Sequence, residues 1–378
     1  MLAATVIAVV VLAYLTGPLG KSRGVNKDKG TPPQRLAAAP VVASMRVLRM
    51  LDANAGWGLA GTYVLRTEDG ARTWLDGTPG EITGSTGQPG ETTGAFFLDA
   101  KHAWVTYGGS GAPNQTVVFR TADGGLTWAK SNAPVGGMGY ELFFLDANRG
   151  WILAHQGVAG GSEAVALAAS TDGGAKWTLV SQANPQVLTP GGLPFGGNKT
   201  GVSFSDASRG WLGGFAPFTG KAFLYHTADG GKNWQDAALP APVYLREAMF
   251  TTTPPTFFGA KDGVLPAQFS GLEPSMVFYA THDGGATWTP GTQLKSGTDR
   301  GLSWSFADAL HGFASDGASL YATADGGVKW ATVKPKPDGT LAQVLQLSFA
   351  SDKVGWAITG GRIFKTTDGG QNWTKVNP

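Results

Sequence analysis

The 378-residue chain contains no cysteine, which excludes disulfides and all thiolate or zinc-thiolate chemistry, although it does not exclude an oxidising compartment. Charge is also scarce, at 15% of residues. The formal net charge of +2 misleads as a whole-chain figure, because Lys21, Arg23, Lys27, Lys29 and Arg35 face only Asp28 in residues 21–35 and leave the remainder slightly acidic. Nucleic-acid binding requires a clustered basic face, and none is visible. The five histidines, His102, His155, His226, His282 and His311, are scattered singly, so neither metal-ligand spacing nor a nucleophile-activating pair appears. No cofactor motif survives inspection either. GGFAPFTGKA imitates a phosphate loop, but its spacing is one residue too long and Ala222 stands where Ser or Thr is needed.

Helical periodicity is missing outside the N-terminus, where the one long apolar run lies: residues 2–15, LAATVIAVVVLAYL, uncharged on to Gly20. The length is borderline between a signal-peptide core and a membrane span. No small-residue cleavage site follows directly, so residues 1–20 are expected to form an uncleaved anchor, with cleavage and secretion as the alternative. Residues 21–43, rich in Lys, Pro, Gly and Ala, read as a flexible tether. The basic residues follow the run, an order that by the positive-inside rule points the following domain to the cytoplasm; the expectation adopted here is the opposite, extracytoplasmic one.

What is abundant is glycine, 57 residues, with 13 tryptophans and 19 phenylalanines, a composition suited to short strands and tight turns. One phrase recurs: RTEDGARTW, RTADGGLTW, ASTDGGAKW, HTADGGKNW, ATHDGGATW, ATADGGVKW and KTTDGGQNW. Its form is [ST]-x-D-G-[GA]-x-x-W, and its tryptophans, Trp74, Trp128, Trp177, Trp234, Trp288, Trp330 and Trp373, are 42 to 57 residues apart. A second phrase precedes each: MLDANAGW, FLDAKHAW, FLDANRGW, FSDASRGW, FADALHGF and FASDKVGW, with a degenerate TFFG in unit five. Each unit thus reads strand, Asp turn, strand, variable loop, strand, Asp-Gly-Gly turn, strand. Seven such units predict an all-β, seven-bladed propeller over residues 44–378, each blade complete in sequence order.

In a tight hairpin an Asp carboxylate can accept bonds from nearby N–H groups and the Ser or Thr hydroxyl, glycine supplies positive φ, and the Trp ring staples the outer hairpin. That reading makes Asp69, Asp123, Asp172, Asp229, Asp283, Asp325 and Asp368 structural. A calcium loop needs several oxygen ligands at alternating positions, and each box offers one carboxylate. With Asp52, Asp99, Asp146, Asp206, Asp308 and Asp352 assigned to the earlier turns, 14 of the 27 acidic residues remain for anything else.

These phrases are those of the Asp-box, or bacterial neuraminidase repeat. Units one, six and seven, for example VGWAITGGRIFKTTDGGQNW, resemble the seven-bladed photosystem II stability and assembly factor family over residues 44–378. The resemblance implies a non-catalytic, membrane-associated, extracytoplasmic propeller that binds proteins during assembly. Sialidases, xyloglucanases and sortilin-type receptors share the repeat, so a carbohydrate-active or glycan-binding propeller is the alternative. A sialidase would show an Arg-Ile-Pro motif near the start; GRIF at Gly361 lacks the proline and lies in the last unit.

Strand alternation puts both Asp turns on one face, the bottom, and the two-to-three loops and inter-unit links on the other. The top loops vary, which makes that face the candidate for binding a protein partner. The candidates there are Tyr107, Asn114, His155, Phe215, Phe218 and Glu273, with Tyr140, Glu141, Tyr244, Arg246, Glu247, Asp299, Arg300 and Trp304 at or near channel-side starts of first strands. Each has a structural reading beside the functional one: aromatic rings can plug a tapering ring, and Glu and Arg can pair. A glycosidase would need two carboxylates about 5 to 9 Å apart, for which only Glu141, Glu247 and Asp299 are candidates.

Overall fold

The computed structural model describes residues 36–39, 45–83, 92–107, 114–217, 220–271, 273–296, 301–334 and 344–376. The anchor and most of the tether lie outside them, and among the described residues no helix is long and apolar enough to cross a membrane. Seven antiparallel sheets follow one another in sequence and form the seven-bladed propeller. Their innermost strands are Met45–Met50, Thr92–Phe97, Gly139–Phe144, Asn198–Phe204, Met249–Thr252, Ser303–Phe306 and Val344–Phe349. Each pairs with the next strand in sequence and so on outward; in blade 5 the inner position is shared with Thr256–Phe257. Among the described residues no blade is built from both chain ends. Within the segment read as tether, Ala37–Ala38 pairs with Leu75–Asp76 and adds a fifth strand to the outer edge of blade 1.

All seven boxes have the same internal wiring, illustrated by blade 4. The Thr227 hydroxyl donates to Asp229 Oδ1 at 2.9 Å, the Asn233 N–H donates to the same oxygen at 2.9 Å, and Gly231 N–H donates to Thr227 Oγ1 at 3.0 Å. The first box glycine then ties the two bottom turns together: Gly230 N–H donates to Ser208 O at 2.8 Å, and the equivalent bond recurs in every blade. Positive φ is needed at the second box position, which glycine tolerates; only blade 1 departs, with Ala71 held at φ 70°.

The earlier turn is equally uniform in backbone and less so in side chain. Asp52, Asp99, Asp146, Asp206 and Asp308 each accept two backbone N–H groups. In blade 7 the expected Asp352 is displaced by one residue: Ser351 Oγ accepts from Lys353 and Val354, and Asp352 instead faces Lys353 Nζ at 3.4 Å. Blade 5 has Gly259 at that place, yet keeps the turn through Phe258 N–H to Asp262 O at 2.9 Å.

Blades are joined by a feature the sequence reading did not single out. The tryptophan opening the second strand reaches into the next blade: Trp104 Nε1 donates to Gly173 O at 2.8 Å, Trp151 Nε1 to Gly230 O at 3.2 Å, and Trp356 Nε1 to Gly70 O at 3.0 Å. The same ring stacks on the aromatic residue ending the next inner strand, Trp104 on Phe144 at 3.5 Å and Trp151 on Phe204 at 3.7 Å. The bond from Trp356 closes the ring, supported by Met50 N–H to Ser348 Oγ and by Gln346 on both backbone groups of Leu48.

Two predictions follow from this wiring. Desolvation pulls the Asp229 carboxyl up, but hydrogen bonds from Asn233, Thr227 and Lys232 outweigh it and hold the group at about 2, against an ordinary 3.8. A depressed folded value gives stabilisation that is complete above the unfolded pKa and is lost as pH falls through the folded one. Asp229→Ala is therefore expected to cost about 1 to 3 kcal/mol at neutral pH. Its thermal midpoint should also fall less than the wild type's between about pH 4 and pH 2; parallel acid profiles would contradict the assignment. For closure, Trp356→Phe should cost about 1 to 3 kcal/mol by leaving the Gly70 carbonyl unpaired, read from urea midpoints; an unshifted midpoint would remove this bond from the closure.

Candidate functional site

The inner strands surround a central channel with a volume of about 750 Å³, walled in part by Phe96, Phe143, Pro254 and Trp304. Among the described residues only two charged side chains line it, Arg49 from blade 1 and Glu141 from blade 3. Both side chains are exposed to the channel, yet the walls crowd them: desolvation pushes the Glu141 carboxyl up, with His155 pulling the other way, and pulls the Arg49 guanidinium down. Glu141 was expected at the channel; Arg49 was not singled out, because the strand MRVLRM holds two arginines and nothing in the sequence says which of them faces the channel.

The other candidates separate. Tyr107 is 2% exposed, and its hydroxyl donates to Thr62 O at 3.1 Å, so it belongs to the core between blades 1 and 2 and is inaccessible to a partner. Tyr140 is likewise buried, its hydroxyl exchanging bonds with Gly137. Asn114 is exposed, with φ 64°. Trp304 is half-buried on the channel wall, edge-on to Phe278 at 6.1 Å. Glu273 is exposed and meets Lys295 at 3.0 Å. Phe218, Asp299 and Arg300 lie outside the described residues.

His155 is committed to an internal cluster. Its Nδ1 lies 2.8 Å from Glu163 Oε1, and the other Glu163 oxygen accepts the Lys199 N–H. Lys199 is 6% exposed and directs Nζ at the carbonyls of Gly197 (2.8 Å), Phe195 (3.0 Å), Gly196 (3.0 Å) and Glu163 (3.2 Å). Burial pulls this lysine down to about 8, with Glu163 opposing. The cluster clamps the blade 3 to 4 link onto the neck of the blade 3 hairpin, whose strands Gly150–Ala159 and Ser162–Ser170 are the longest among the described residues. Of the remaining histidines, His102, His282 and His311 each lie within 2.9 Å of one carboxylate oxygen.

Phe215, Arg246 and Glu247 come into one neighbourhood at the top of blades 4 and 5. A short 3-10 turn, Val243–Leu245, presents Arg246 and Glu247 to solvent, and Gly220 N–H donates to Ala248 O at 3.0 Å, drawing the loop after Phe215 against this link. Phe215 itself is half-buried. The same link exposes Val243 (72%) and Tyr244 (60%), and Met249 follows them. Of nine large hydrophobic side chains exposed among the described residues, seven fall on the top face: Met138, Val158, Leu188, Val243, Tyr244, Met249 and Leu345. Most belong to links without alternation, the one signal that could have marked them in the sequence.

No protein-family model matches the chain, and no curated protein matches it. Solved structures do. YCF48 bound to a D1 peptide is 17% identical over 89% of this chain and 97% of its own, with a TM-score of 0.54. YCF48 from Cyanidioschyzon merolae is 18% identical over 88% and 98%, with a TM-score of 0.56. The fold is that of the YCF48 propellers. A polysaccharide lyase of family PL25, an ulvan lyase, is 12% identical over 90% and 95%, and its TM-score of 0.48 is too low to bear on chemistry.

Lys199→Met should destabilise the chain by about 3 kcal/mol, since it removes the buried ammonium that bonds four carbonyls and faces the Glu163 carboxylate. Hydrogen exchange should loosen first at residues 195–197 and in the blade 3 hairpin; uniform loosening of all seven blades would show that the cluster is not a local clamp.

Proposed function

We propose that this chain is a non-catalytic protein-binding propeller serving the assembly of a membrane-associated complex. In this reading residues 1–20 anchor it, the propeller lies outside the cytoplasm, and the seven boxes are Asp-box repeats of a photosystem II assembly factor-like protein. The observation that carries it is the gathering of exposed apolar side chains on the top of blades 3 to 5, on the links that also carry Arg246. Contiguous exposed apolar and arginine side chains are the usual anchors of an interface. The YCF48 likeness supports the same direction, one of those structures being bound to a D1 peptide.

A glycoside hydrolase reading has less to stand on. Such enzymes need two carboxylates about 5 to 9 Å apart. Among the described channel-lining residues Glu141 is the sole carboxylate, while Glu247 sits on the exposed top link.

The test is a triple variant, Val243→Ala with Tyr244→Ala and Arg246→Ala. It should recover at least about tenfold less of the proteins that wild type captures from solubilised membranes, with a thermal midpoint within about 2 °C, because exposed loop residues contribute little to blade cores. Full capture by this variant, with capture lost on replacing Arg149 and Arg209 of the bottom turns, would move the interface to the other face. Turnover of sialosides or β-glucans that Glu141→Gln abolishes would replace the reading with an enzymatic one.

A further inference from the structure

The first glycine of every box lies against one carbonyl of the earlier bottom turn in its own blade. From blade 1 to blade 7 that carbonyl belongs to Ala53, Ala100, Ala147, Ala207, Ala260, Ala309 and Asp352, and a Cβ on the glycine would meet it at 2.7 to 3.2 Å. At three junctions the preceding blade sets a cation beside this pair. The same Cβ would lie 2.7 Å from Lys365 Nζ at Gly70, 3.7 Å from Arg66 Nε at Gly124 and 3.4 Å from Arg209 Nη1 at Gly284. Lys365 shows how such a seat holds its cation: Nζ donates to Ala53 O at 3.0 Å and stands 4.7 Å from the centre of the Trp356 ring.

The junction between blades 6 and 7 departs from this pattern in three ways. Blade 6 has Ala322 opposite Phe313, at the strand position where Arg66 stands opposite Trp57 and Lys365 opposite Trp356. Phe313 in turn has no indole, so the Gly369 carbonyl receives no bond of the kind that Trp356 gives Gly70. The third departure is Asp352. The one-residue shift that hands the turn to Ser351 puts an acid where the other six blades have alanine. Among the described residues, chain neighbours aside, only the Asp352 carbonyl lies within 4 Å of a Cβ on Gly369. The seats at Gly173, Gly230 and Gly326 also have no cation beside them, but their alanines add no charge. The seat of blade 7 adjoins a groove of about 950 Å³ lined by Trp330, Asp352, Asp368 and Gly369.

Two carbonyls and a carboxylate, with no cation supplied by the preceding blade, suit a cation brought from outside. Asp352 faces Lys353 Nζ at 3.4 Å, but both side chains are exposed, and such a pair holds weakly. Arginine suits the place better than lysine, because its planar guanidinium has donors enough for both carbonyls and the carboxylate together. The rim sets what flanks it. Lys329, Lys334 and Lys353 are exposed along the groove, where they repel a polybasic segment and attract acidic residues. We propose that the groove between blades 6 and 7 binds an arginine side chain of a partner protein, flanked by acidic residues, in the seat that Lys365 fills between blades 7 and 1. This site is separate from the top-face interface and stands without it.

Trp330 borders the groove, so the indole N–H signals of the full chain, carrying isotope-labelled tryptophan, report its occupation. Acetyl-Gly-Glu-Arg-Glu-Gly-amide should move the Trp330 signal, identified as the one absent from Trp330→Phe. The same peptide with citrulline, a neutral isostere of arginine, should bind at least about tenfold more weakly, as should one with lysines in place of its glutamates; neither comparison needs a variant. Ala322→Lys should abolish the shift, because the chain then supplies its own ammonium, and Asp352→Ala should weaken binding at least about fivefold. Unmoved signals from the other tryptophans show that each variant is folded. The Val243, Tyr244 and Arg246 triple variant should bind the peptide like wild type, so a failed partner capture and a failed groove are told apart. A Trp330 signal unmoved by about 10 mM arginine peptide would overturn the assignment. So would equal affinity for the citrulline or the lysine-flanked peptide, or undiminished binding by folded Ala322→Lys.

Discussion

Among the described residues, an indole N–H that must find an acceptor ties four of the seven blades to the next. Trp104, Trp151 and Trp356 lie between blades with 4% exposure or less, and each satisfies its donor on a carbonyl of the next blade's Asp-Gly-Gly turn. The donor cannot be left unpaired there without a cost comparable to a lost hydrogen bond, so the turn is held to a fixed position relative to the preceding blade. The rest of the repeat follows. Such a ring can lie on the turn only where the second box residue is small: a Cβ on Gly174 would come within 3.2 Å of Trp104 Nε1, and one on Gly285 would run into the Trp211 ring. The aromatic residue ending each inner strand is the stacking partner on the other side.

The two junctions that lack the indole show what it contributes. Blade 5 has Val264 at the tryptophan position, and Phe278, Phe306 and Trp330 fill the gap to blade 6. Blade 6 has Phe313, which stacks on Phe349 at 3.6 Å but has no N–H to donate. An open groove of about 950 Å³ runs along this junction on the outer bottom side, bordered by Phe313, Trp330, Asp352 and Asp368. The inner strands compensate, with Ser303 and Ser305 both bonding across to blade 7. A junction can be held by indole on the outside or by hydroxyls near the axis.

Strand number, blade order, closure without a shared blade and the bonding of the box were all legible in the sequence, because each rests on local chemistry repeated seven times. What was not legible depends on which side of a strand a single residue takes. Ser351, not Asp352, caps the last turn because FASDKVGW carries its acid one place later than FLDANRGW, a shift that leaves the phrase looking unchanged. Tyr107 ends a second strand at the mouth of a variable loop, and its inward side chain follows from strand parity, which the loop's exposure concealed. His155 could be seen only as a lone histidine, since Glu163 meets it from 8 residues away across a hairpin and Lys199 meets Glu163 from 36 residues away across a blade boundary.

Internal repetition also supplies a control that single-copy folds lack. A serine whose hydroxyl carries the next strand's N–H at one blade shows what the frame needs at that position, and any blade with a different residue there must meet the need otherwise or leave it unmet. Blades 6 and 7, the compact units, spend their inner polar side chains on neighbouring backbone. Blades 1 to 4 place Arg49, Phe96, Phe143, Glu141 and Ser203 along the channel wall instead. The long top loops and most of the exposed apolar side chains lie over the third to fifth blades. Length variation in the top loops is concentrated on this side of the ring, while the backbone wiring of the bottom box turns stays uniform because the box glycines admit little else there.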